Sequence, residues 1–92
     1  MKRKFPRSDL RQIPGVGPSI EQDLQEIGIR CIADLKGQDP EELFLQSCSA
    51  QGVSLDRCLL YVYRLAVYYA EHEERDPALL KWWRWKDRPY QR

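Results

Sequence analysis

Residues 10–29 read LRQIPGVGPSIEQDLQEIGI, and two glycines flank a single valine just before a segment with helical periodicity. Apolar residues recur three and four positions apart over 18–27, with a proline at the start and a glycine directly after the end. Glycine inside ordered structure usually permits a positive φ angle or lets another group approach the backbone closely. The pattern therefore predicts a helix over 18–27 that follows a tight turn at Gly15-Val16-Gly17.

Further helices are predicted on both sides of this stretch, and no pair of strands joined by a hairpin turn is visible. Ser8 is a suitable N-cap, and Ile13-Pro14 ends the first helix because a residue before proline avoids helical angles. Asp39 and Asp76 each precede a proline, an order typical of helix starts. The predicted helices cover residues 9–12, 18–27, 32–35, 40–47, 55–73 and 77–83, and residues 49–53 are predicted to form a loop.

The longest predicted helix, over 55–73, starts at a Ser54 cap and buries one apolar stripe. Arg57, Arg64 and Glu71 fall outside that stripe and are expected on other faces of the helix. The residues of the stripe are Leu55, Cys58, Leu59, Val62, Leu65, Ala66 and Tyr69.

Length and composition point to one domain. The chain has 92 residues, of which 42% are hydrophobic, and this is enough for a single modest core. We therefore expect an all-α, compact single domain of five to six helices over residues 8–85. A basic arm at 1–7 precedes this domain and a basic tail at 86–92 follows it.

The sequence argues against several classes of protein and several kinds of site. No apolar run approaches the about 20 residues needed to span a bilayer, and the first residues lack the apolar segment of a secretory signal. Cys31, Cys48 and Cys58 form no C-x-x-C pair, and His72 is the only histidine, which argues against a disulfide framework or a zinc site. We expect a cytoplasmic protein with reduced thiols and no membrane contact.

The charges are distributed unevenly although the net charge is only +1. Residues 1–12 hold five basic and one acidic side chain, and residues 81–92 hold the same numbers. The 68 residues between them carry five basic and twelve acidic side chains. Two basic ends on an acidic middle suit a polyanion that touches part of the surface, and they equally suit solubilising termini. The candidate basic flank is Lys2, Arg3, Lys4, Arg7, Lys81, Arg84, Lys86 and Arg88.

The turn before the second helix has the chemistry of an anion site. The first amides of a helix have no intrahelical partner, and the helix dipole places partial positive charge there. Glycines without Cβ atoms let a phosphate oxygen approach, while Val16 packs inward and fixes the turn. Pro18 has no N–H to offer. The predicted donors are the amides of Gly15, Gly17, Ser19 and Ile20.

Taken together, residues 10–29 closely resemble the helix-hairpin-helix motif of DNA polymerases, ligases and repair nucleases, and GVGPS is especially similar to the family X DNA polymerases. The following GIRCIADLKGQDPEEL resembles the weaker second hairpin of tandem helix-hairpin-helix domains. The resemblance implies a SAM-like tandem architecture over 8–47, followed by a long helix and a short Trp-rich helix over 54–85. It also implies backbone contacts to DNA that position the protein without reading sequence.

The resemblance also implies particular site residues. Phosphate contacts would come from the first turn, Val16 included, and from Lys36 and Gly37 at the second. In related hairpins, backbone carbonyls hold a monovalent cation that bridges to a phosphate. Here a K⁺ or Na⁺ ion would lie at the carbonyls of Arg11, Ile13 and Val16.

Over its whole length the chain resembles a small bacterial family known as the pathogenicity-locus proteins, often labelled mitomycin-resistance proteins. The passage GVSLDRCLLYVYRLAVYYAEH, at 52–72, carries this resemblance most specifically. The label implies a link to tolerance of DNA damage.

One feature departs from DNA-binding hairpins. Many of them place a lysine or arginine in the turn or early second helix, whereas this helix carries Glu21, Asp23 and Glu26. These carboxylates would repel a duplex unless they face away from it, and the sequence leaves their orientation open.

Two functions from different classes fit these patterns. The first is non-enzymatic, sequence-independent binding of the DNA backbone. The second is a protein-interaction module, or a homodimer, in which the hairpin is only structural. KWWRWKDR, at 81–88, interleaves aromatic rings with cations and suits single strands, but we favour the alternative that at least one of Trp82 and Trp85 covers the hairpin core. No pattern of nucleophile, base or phosphate-binding lysine predicts an enzyme.

Overall fold

A computed structural model describes residues 8–91, and this part of the chain is entirely helical apart from turns. The all-α class is therefore confirmed. Its three α-helices are α1 (Pro18–Glu26), α2 (Pro40–Gln51) and α3 (Arg57–Glu71). Four 3₁₀ helices complete the described part, at Asp9–Gln12, Ile32–Leu35, Pro77–Leu80 and Trp82–Trp85.

The prediction of five to six helices was wrong, because only three segments of residues 8–91 are α-helical. Each remaining segment has four residues and forms a 3₁₀ helix. Segments this short suit the tighter 3₁₀ geometry, which is used in short pieces, and cannot repay the cost of starting an α-helix. The predicted basic arm at 1–7 and the final Arg92 lie outside the described residues.

Two predicted boundaries were wrong for reasons of capping. Helix α2 continues through residues 49–51, which were predicted as loop, and it ends at Gly52 with a left-handed φ of 71°. Helix α3 is capped by Asp56, whose carboxylate accepts the Cys58 N–H at 2.8 Å. Ser54 is therefore not the cap, and α3 starts two residues later than predicted.

Helix α3 is the centre of the fold. All residues from Leu60 to Tyr68 are buried, so the prediction of a single apolar stripe was wrong. The helix packs against α2, against Ile32–Leu35 and against the Trp82–Trp85 helix, and these neighbours cover most of its circumference. Cys58, predicted within the stripe, is exposed at the first turn.

Arg64 was predicted to lie outside the buried stripe of the helix, but its side chain is buried, with a relative exposure of 7%. Its Nε and Nη2 atoms donate to one Glu41 oxygen at 3.0 and 2.8 Å. Its Nη1 atom donates to the Trp85 carbonyl at 2.7 Å and lies 3.4 Å from the Lys86 carbonyl. One guanidinium therefore joins α3 to the start of α2 and to the C-terminal segment.

A second buried polar contact fixes α2 on α3. The Tyr63 hydroxyl is hydrogen-bonded to the Ser47 Oγ at 2.7 Å, and both side chains are almost completely buried. Burial raises the pKa of Tyr63, so the phenol stays neutral and can serve as donor or acceptor.

Replacing Arg64 by Met is expected to lower the free energy of unfolding by about 2–3 kcal/mol, because the buried Trp85 carbonyl loses its charged donor. Urea denaturation at constant slope measures this change. Arg57→Met, at an exposed position of the same helix, is the matched control and should change stability by less than about 0.5 kcal/mol. Equal losses in both variants would contradict the structural role of Arg64.

Candidate nucleic-acid interface

The first turn (residues 13–17) is fixed from within. Gly15 has a φ of 89°, a conformation that side-chain-bearing residues rarely adopt. The Val16 N–H donates to the Ile13 carbonyl at 3.0 Å. Val16 and Ile13 are both buried, as the sequence predicts for Val16. The turn is thus a rigid connection between Asp9–Gln12 and α1.

Gly17 has a different role from Gly15. It is the N-cap of α1 with φ −98° and ψ −171°, angles open to any residue, and it supplies no capping side chain. Apart from Gly17 itself and its two chain neighbours, no described residue has an atom within 4 Å of the place where a Cβ on Gly17 would stand. The missing side chain therefore opens the space in front of the helix start and is not needed for the backbone angles.

The amides predicted as anion donors are without protein acceptors. The first hydrogen bond of α1 runs from the Glu21 N–H to the Gly17 carbonyl, at 2.9 Å. Within residues 8–91, no group accepts a hydrogen bond from the amides of Gly15, Gly17, Ser19 or Ile20. Gly15 and Ser19 are exposed, and Gly17 and Ile20 are half-buried. These donors, near the positive end of the helix dipole, can receive an oxyanion.

The acidic residues of α1 do not share one direction. Glu21 is fully buried and accepts from the backbone N–H and the Oγ of Ser8, at 2.8 and 2.7 Å. Its second oxygen lies 3.7 Å from the Arg11 guanidinium. Asp23 is half-buried and accepts from Gln51, whereas Glu26 is exposed. Glu21 therefore stabilises the first turn from the inside and its charge is compensated there.

The second turn differs from the first in the state of its glycine amide. Gly37 has a φ of 81°, and its N–H donates to Glu71 Oε2 at 2.5 Å. The other oxygen of Glu71 accepts from the Tyr90 hydroxyl at 2.5 Å. Lys36 is exposed beside it. A carboxylate of α3 therefore already holds the Gly37 amide, whereas the amides of Gly15 and Gly17 in the first turn have no acceptor among the described residues.

The carbonyls predicted to hold a monovalent cation retain acceptor capacity. The Ile13 carbonyl accepts one hydrogen bond from Val16, and a carbonyl has two lone pairs. The carbonyls of Arg11 and Val16 accept no turn or loop hydrogen bond from the described residues. The K⁺ or Na⁺ site at these carbonyls stays a prediction.

The Trp-rich end lies beside the first turn. Trp82 Cδ1 is 3.7 Å from the place that a Cβ on Gly15 would occupy, so Trp82–Trp85 borders the turn without covering Gly17. Trp85 is buried and donates from its indole N–H to the Leu79 carbonyl at 2.9 Å. The cationic residues of this segment, Lys81, Arg84, Lys86 and Arg88, are all exposed.

The basic flank is only partly described. The Arg88 guanidinium carbon lies 5.8 Å from the centre of the Trp85 ring, while Lys81 and Arg84 neighbour Trp82 in the chain. The other predicted members, Lys2, Arg3, Lys4 and Arg7, lie outside the described residues.

Sequence reasoning missed the long-range polar contacts that position the site. Asp9 accepts the Ile32 N–H at 2.8 Å and so joins the two turn regions, and Glu71 reaches Gly37 across 34 positions of the chain. Neither contact has a local sequence signal, because the partners are brought together only by packing on α3.

The described residues contain no group of three or more His, Cys, Asp and Glu side chains placed to hold a metal ion. All three cysteines are free. In the part of the chain that the structure describes, no helix has both the length and the apolar character required to cross a membrane.

Comparison with known proteins identifies the family. The model of the family described as pathogenicity locus matches residues 6–90. The chain belongs to the pathogenicity-locus family. It is also 40% identical, over 76 residues, to mitomycin resistance protein McrB of Streptomyces lavendulae, and the match covers 83% of this chain and 69% of that protein. No solved structure matches the chain.

The two glycines of the first turn should respond differently to alanine. Gly15→Ala forces a Cβ into the left-handed region and is expected to cost about 1–2 kcal/mol. Gly17→Ala meets open space at ordinary angles and should cost less than about 0.5 kcal/mol. Thermal and urea unfolding of both variants measure the difference. Equal costs would show that the turn does not have the described geometry.

Asp23 should destabilise the fold near neutral pH, because desolvation is the largest cause that raises the pKa of its carboxyl. A folded pKa above the unfolded value means that ionisation of Asp23 costs stability as the pH rises through that window. Asp23→Asn keeps an acceptor for Gln51 and should be more stable than the wild type at neutral pH. The advantage should disappear below the ordinary pKa of aspartate. Urea unfolding across this pH range checks it, and a variant less stable at neutral pH would contradict the assignment.

Proposed function

We propose that this chain is a cytoplasmic, non-enzymatic module that binds the DNA backbone without sequence specificity. Residues 9–26 would act as a helix-hairpin-helix, with a phosphate held by the amides of Ser19 and Ile20 and approached through the open space at Gly17. The second turn completes a tandem, SAM-like arrangement but has a structural role. The name of the relative from Streptomyces lavendulae supports a link to mitomycin resistance, and hence to tolerance of DNA damage.

This proposal rests mainly on one observation: several amides at the first turn have no hydrogen-bond acceptor among residues 8–91. Helices α2 and α3 each begin with a side-chain cap, supplied by Asp39 and Asp56. Helix α1 has glycine there instead. An external oxyanion satisfies the same donors and gains from the helix dipole.

The charges near the turn support a weak, backbone-directed interaction. Glu21 points inward, so one of the three carboxylates on α1 no longer opposes a phosphate. Lys81 and Arg84 are exposed in the segment that borders Gly15. About two to four phosphates would be neutralised, which gives a shallow dependence on salt with a slope of about −0.9 per phosphate. The affinity of one molecule should be micromolar or weaker at physiological salt.

Gly17→Asp separates stability from binding. The introduced carboxylate would cap the Ser19 and Ile20 amides, which raises stability by a few tenths to about 1 kcal/mol. The same carboxylate occupies the phosphate position and repels the phosphate, so duplex DNA affinity should fall at least tenfold. Fluorescence anisotropy between about 50 and 200 mM salt measures the affinity and its slope, and thermal unfolding measures stability.

Two control variants separate the effect of capping the amides from the effect of the added charge. Gly17→Ser places a neutral cap on the same amides and should weaken binding with no change in charge. Gln46→Glu adds one negative charge at an exposed position of α2 and should leave affinity within about twofold. Duplex binding by Gly17→Asp equal to that of the wild type would exclude the first turn as the DNA site.

A protein-interaction module is the second candidate. It is favoured by the closed second turn, in which Glu71 holds the Gly37 amide, and by exposed apolar side chains at Leu45, Val53 and Trp83. In that case the wild type binds neither duplex nor single-stranded DNA at low salt. A protein partner or a homodimer would then be the ligand, and sedimentation velocity measures self-association directly.

A further inference from the structure

A cavity of about 350 Å³ opens directly beside the first turn. Its walls are mostly apolar, and it lies between the turn, α3 and the Trp-rich end. We call this cavity the Trp82 hollow. Gly15 and the apolar residues Ile20, Leu55, Leu59, Val62 and Trp82 form most of its walls, and Asp23, Asp56 and Cys58 complete the lining. Its volume falls at the lower end of the range of about 300–1,000 Å³ that is typical of small-ligand sites.

We propose that the Trp82 hollow receives the base of one unpaired nucleotide whose phosphate lies on the first turn. This inference rests on the proposed function, because the same amides of Ser19 and Ile20 must hold the phosphate. It names the preferred ligand as DNA with an unpaired or displaced nucleotide. Fully paired duplex would bind more weakly through the backbone contacts alone.

The first support is that the hollow and the anion donors share residues. Gly15 and Ile20 line the hollow and also belong to the predicted phosphate site. Trp82 Cδ1 and Val62 Cγ1 lie 3.7 and 3.8 Å from the place of a Cβ on Gly15. An aromatic ring edge therefore stands directly beside the turn. A nucleotide needs this proximity, since one sugar joins its base to its phosphate.

The second support is the character of the walls. Bases stack on aromatic side chains with little regard to sequence, because every base has a π-face. Trp82 is half-buried and lines the hollow. In a paired duplex the bases are stacked on one another and cannot enter a cavity in the protein. Only an unpaired nucleotide can reach the hollow.

The third support is the order of charges along the site. Asp23 and Asp56 line the hollow, while the amides without acceptors lie at the turn. Carboxylates accept hydrogen bonds from base N–H groups, as they do from the cytosine amino group. They also repel phosphate. The site thus offers donors where a nucleotide carries its anion and acceptors where it carries base N–H groups.

Three DNA duplexes of identical flanking sequence test the inference on the wild-type chain. One is fully paired, one has a single unpaired cytosine, and one has the same bulge with the base removed. The unpaired cytosine should raise affinity about tenfold over the paired duplex, which corresponds to about 1.4 kcal/mol. The abasic bulge should bind like the paired duplex. Equal binding of the abasic and cytosine bulges would overturn the inference, because a preference for bent DNA alone explains it.

Protein variants test whether the preference for the cytosine bulge depends on the Trp82 hollow. Trp82→Ala should remove the preference for the cytosine bulge and keep the affinity for paired DNA. Trp83→Ala is the matched control, since this side chain is 54% exposed and does not line the hollow. Because Trp82→Ala removes a half-buried ring, Cys58→Phe provides a second variant that fills the hollow from its exposed edge. Retention of the preference in a folded Cys58→Phe protein would overturn the inference.

Alkylation of Cys58 gives a readout that does not depend on affinity. Its thiol is exposed and lines the hollow, whereas Cys31 does not line it. Cytosine-bulged DNA at saturation should slow the reaction of Cys58 with N-ethylmaleimide at least threefold and leave Cys31 unchanged, as followed by peptide mass spectrometry. Paired DNA should protect neither. Equal protection of Cys58 by both DNAs would contradict occupation of the hollow by a base.

The failures of the two proposals are distinguishable. If the wild type binds none of the DNAs, the proposed function fails and this inference fails with it. If binding is lost in Gly17→Asp but the cytosine bulge has no advantage, the backbone function stands and only the hollow is wrongly assigned.

Discussion

The guanidinium of Arg64 is the constraint on which the arrangement of this domain depends. It lies inside the helical core, where a charge is tolerated only with several partners, and it finds them in Glu41 and in the carbonyls of Trp85 and Lys86. These contacts bring the C-terminal segment onto α3. Because Trp82 precedes Trp85 by one 3₁₀ turn, the same contacts place an aromatic ring beside Gly15. The contacts of one buried guanidinium therefore position a wall of the candidate site.

Neighbouring residues each contribute a different feature to the first turn. Gly15 supplies the unusual backbone angle, Val16 anchors the turn in the core, and Gly17 leaves open space before α1. Glu21, four residues after Gly17, turns inward to the Ser8 amide and hydroxyl. The Glu21 carboxylate of α1 is therefore hydrogen-bonded within the protein, while the amides of Ser19 and Ile20 have no acceptor among the described residues. The local sequence thus combines an acidic helix with open amides at its start.

Local signals predicted much of this fold, and contacts across the chain account for most of the errors. Ser8 and Asp39 cap helices where the sequence predicts, and Val16 is buried as expected. Arg64 was misplaced because periodicity assumes one buried stripe, whereas α3 is covered on several sides. The engagement of Gly37 by Glu71 depends on two residues 34 positions apart, and nothing near either one signals it. The candidate turn could be predicted from the sequence because its residues are neighbours in the chain. The Trp82 hollow could not be predicted, because residues of α3 and Trp82, which are distant in the chain, form its walls.

The closed state of the second turn has a consequence for how such a domain would work. Two equivalent open turns would let one molecule hold a duplex at two points, so that release at one point is followed by rapid rebinding. With Glu71 on the Gly37 amide, each copy would have a single point of attachment in the proposed complex. Long residence on DNA would then require several copies, or a tether to another DNA-bound protein, to raise the local concentration. Such a domain would sample many positions on DNA briefly and would accumulate only where bound neighbours hold it in place.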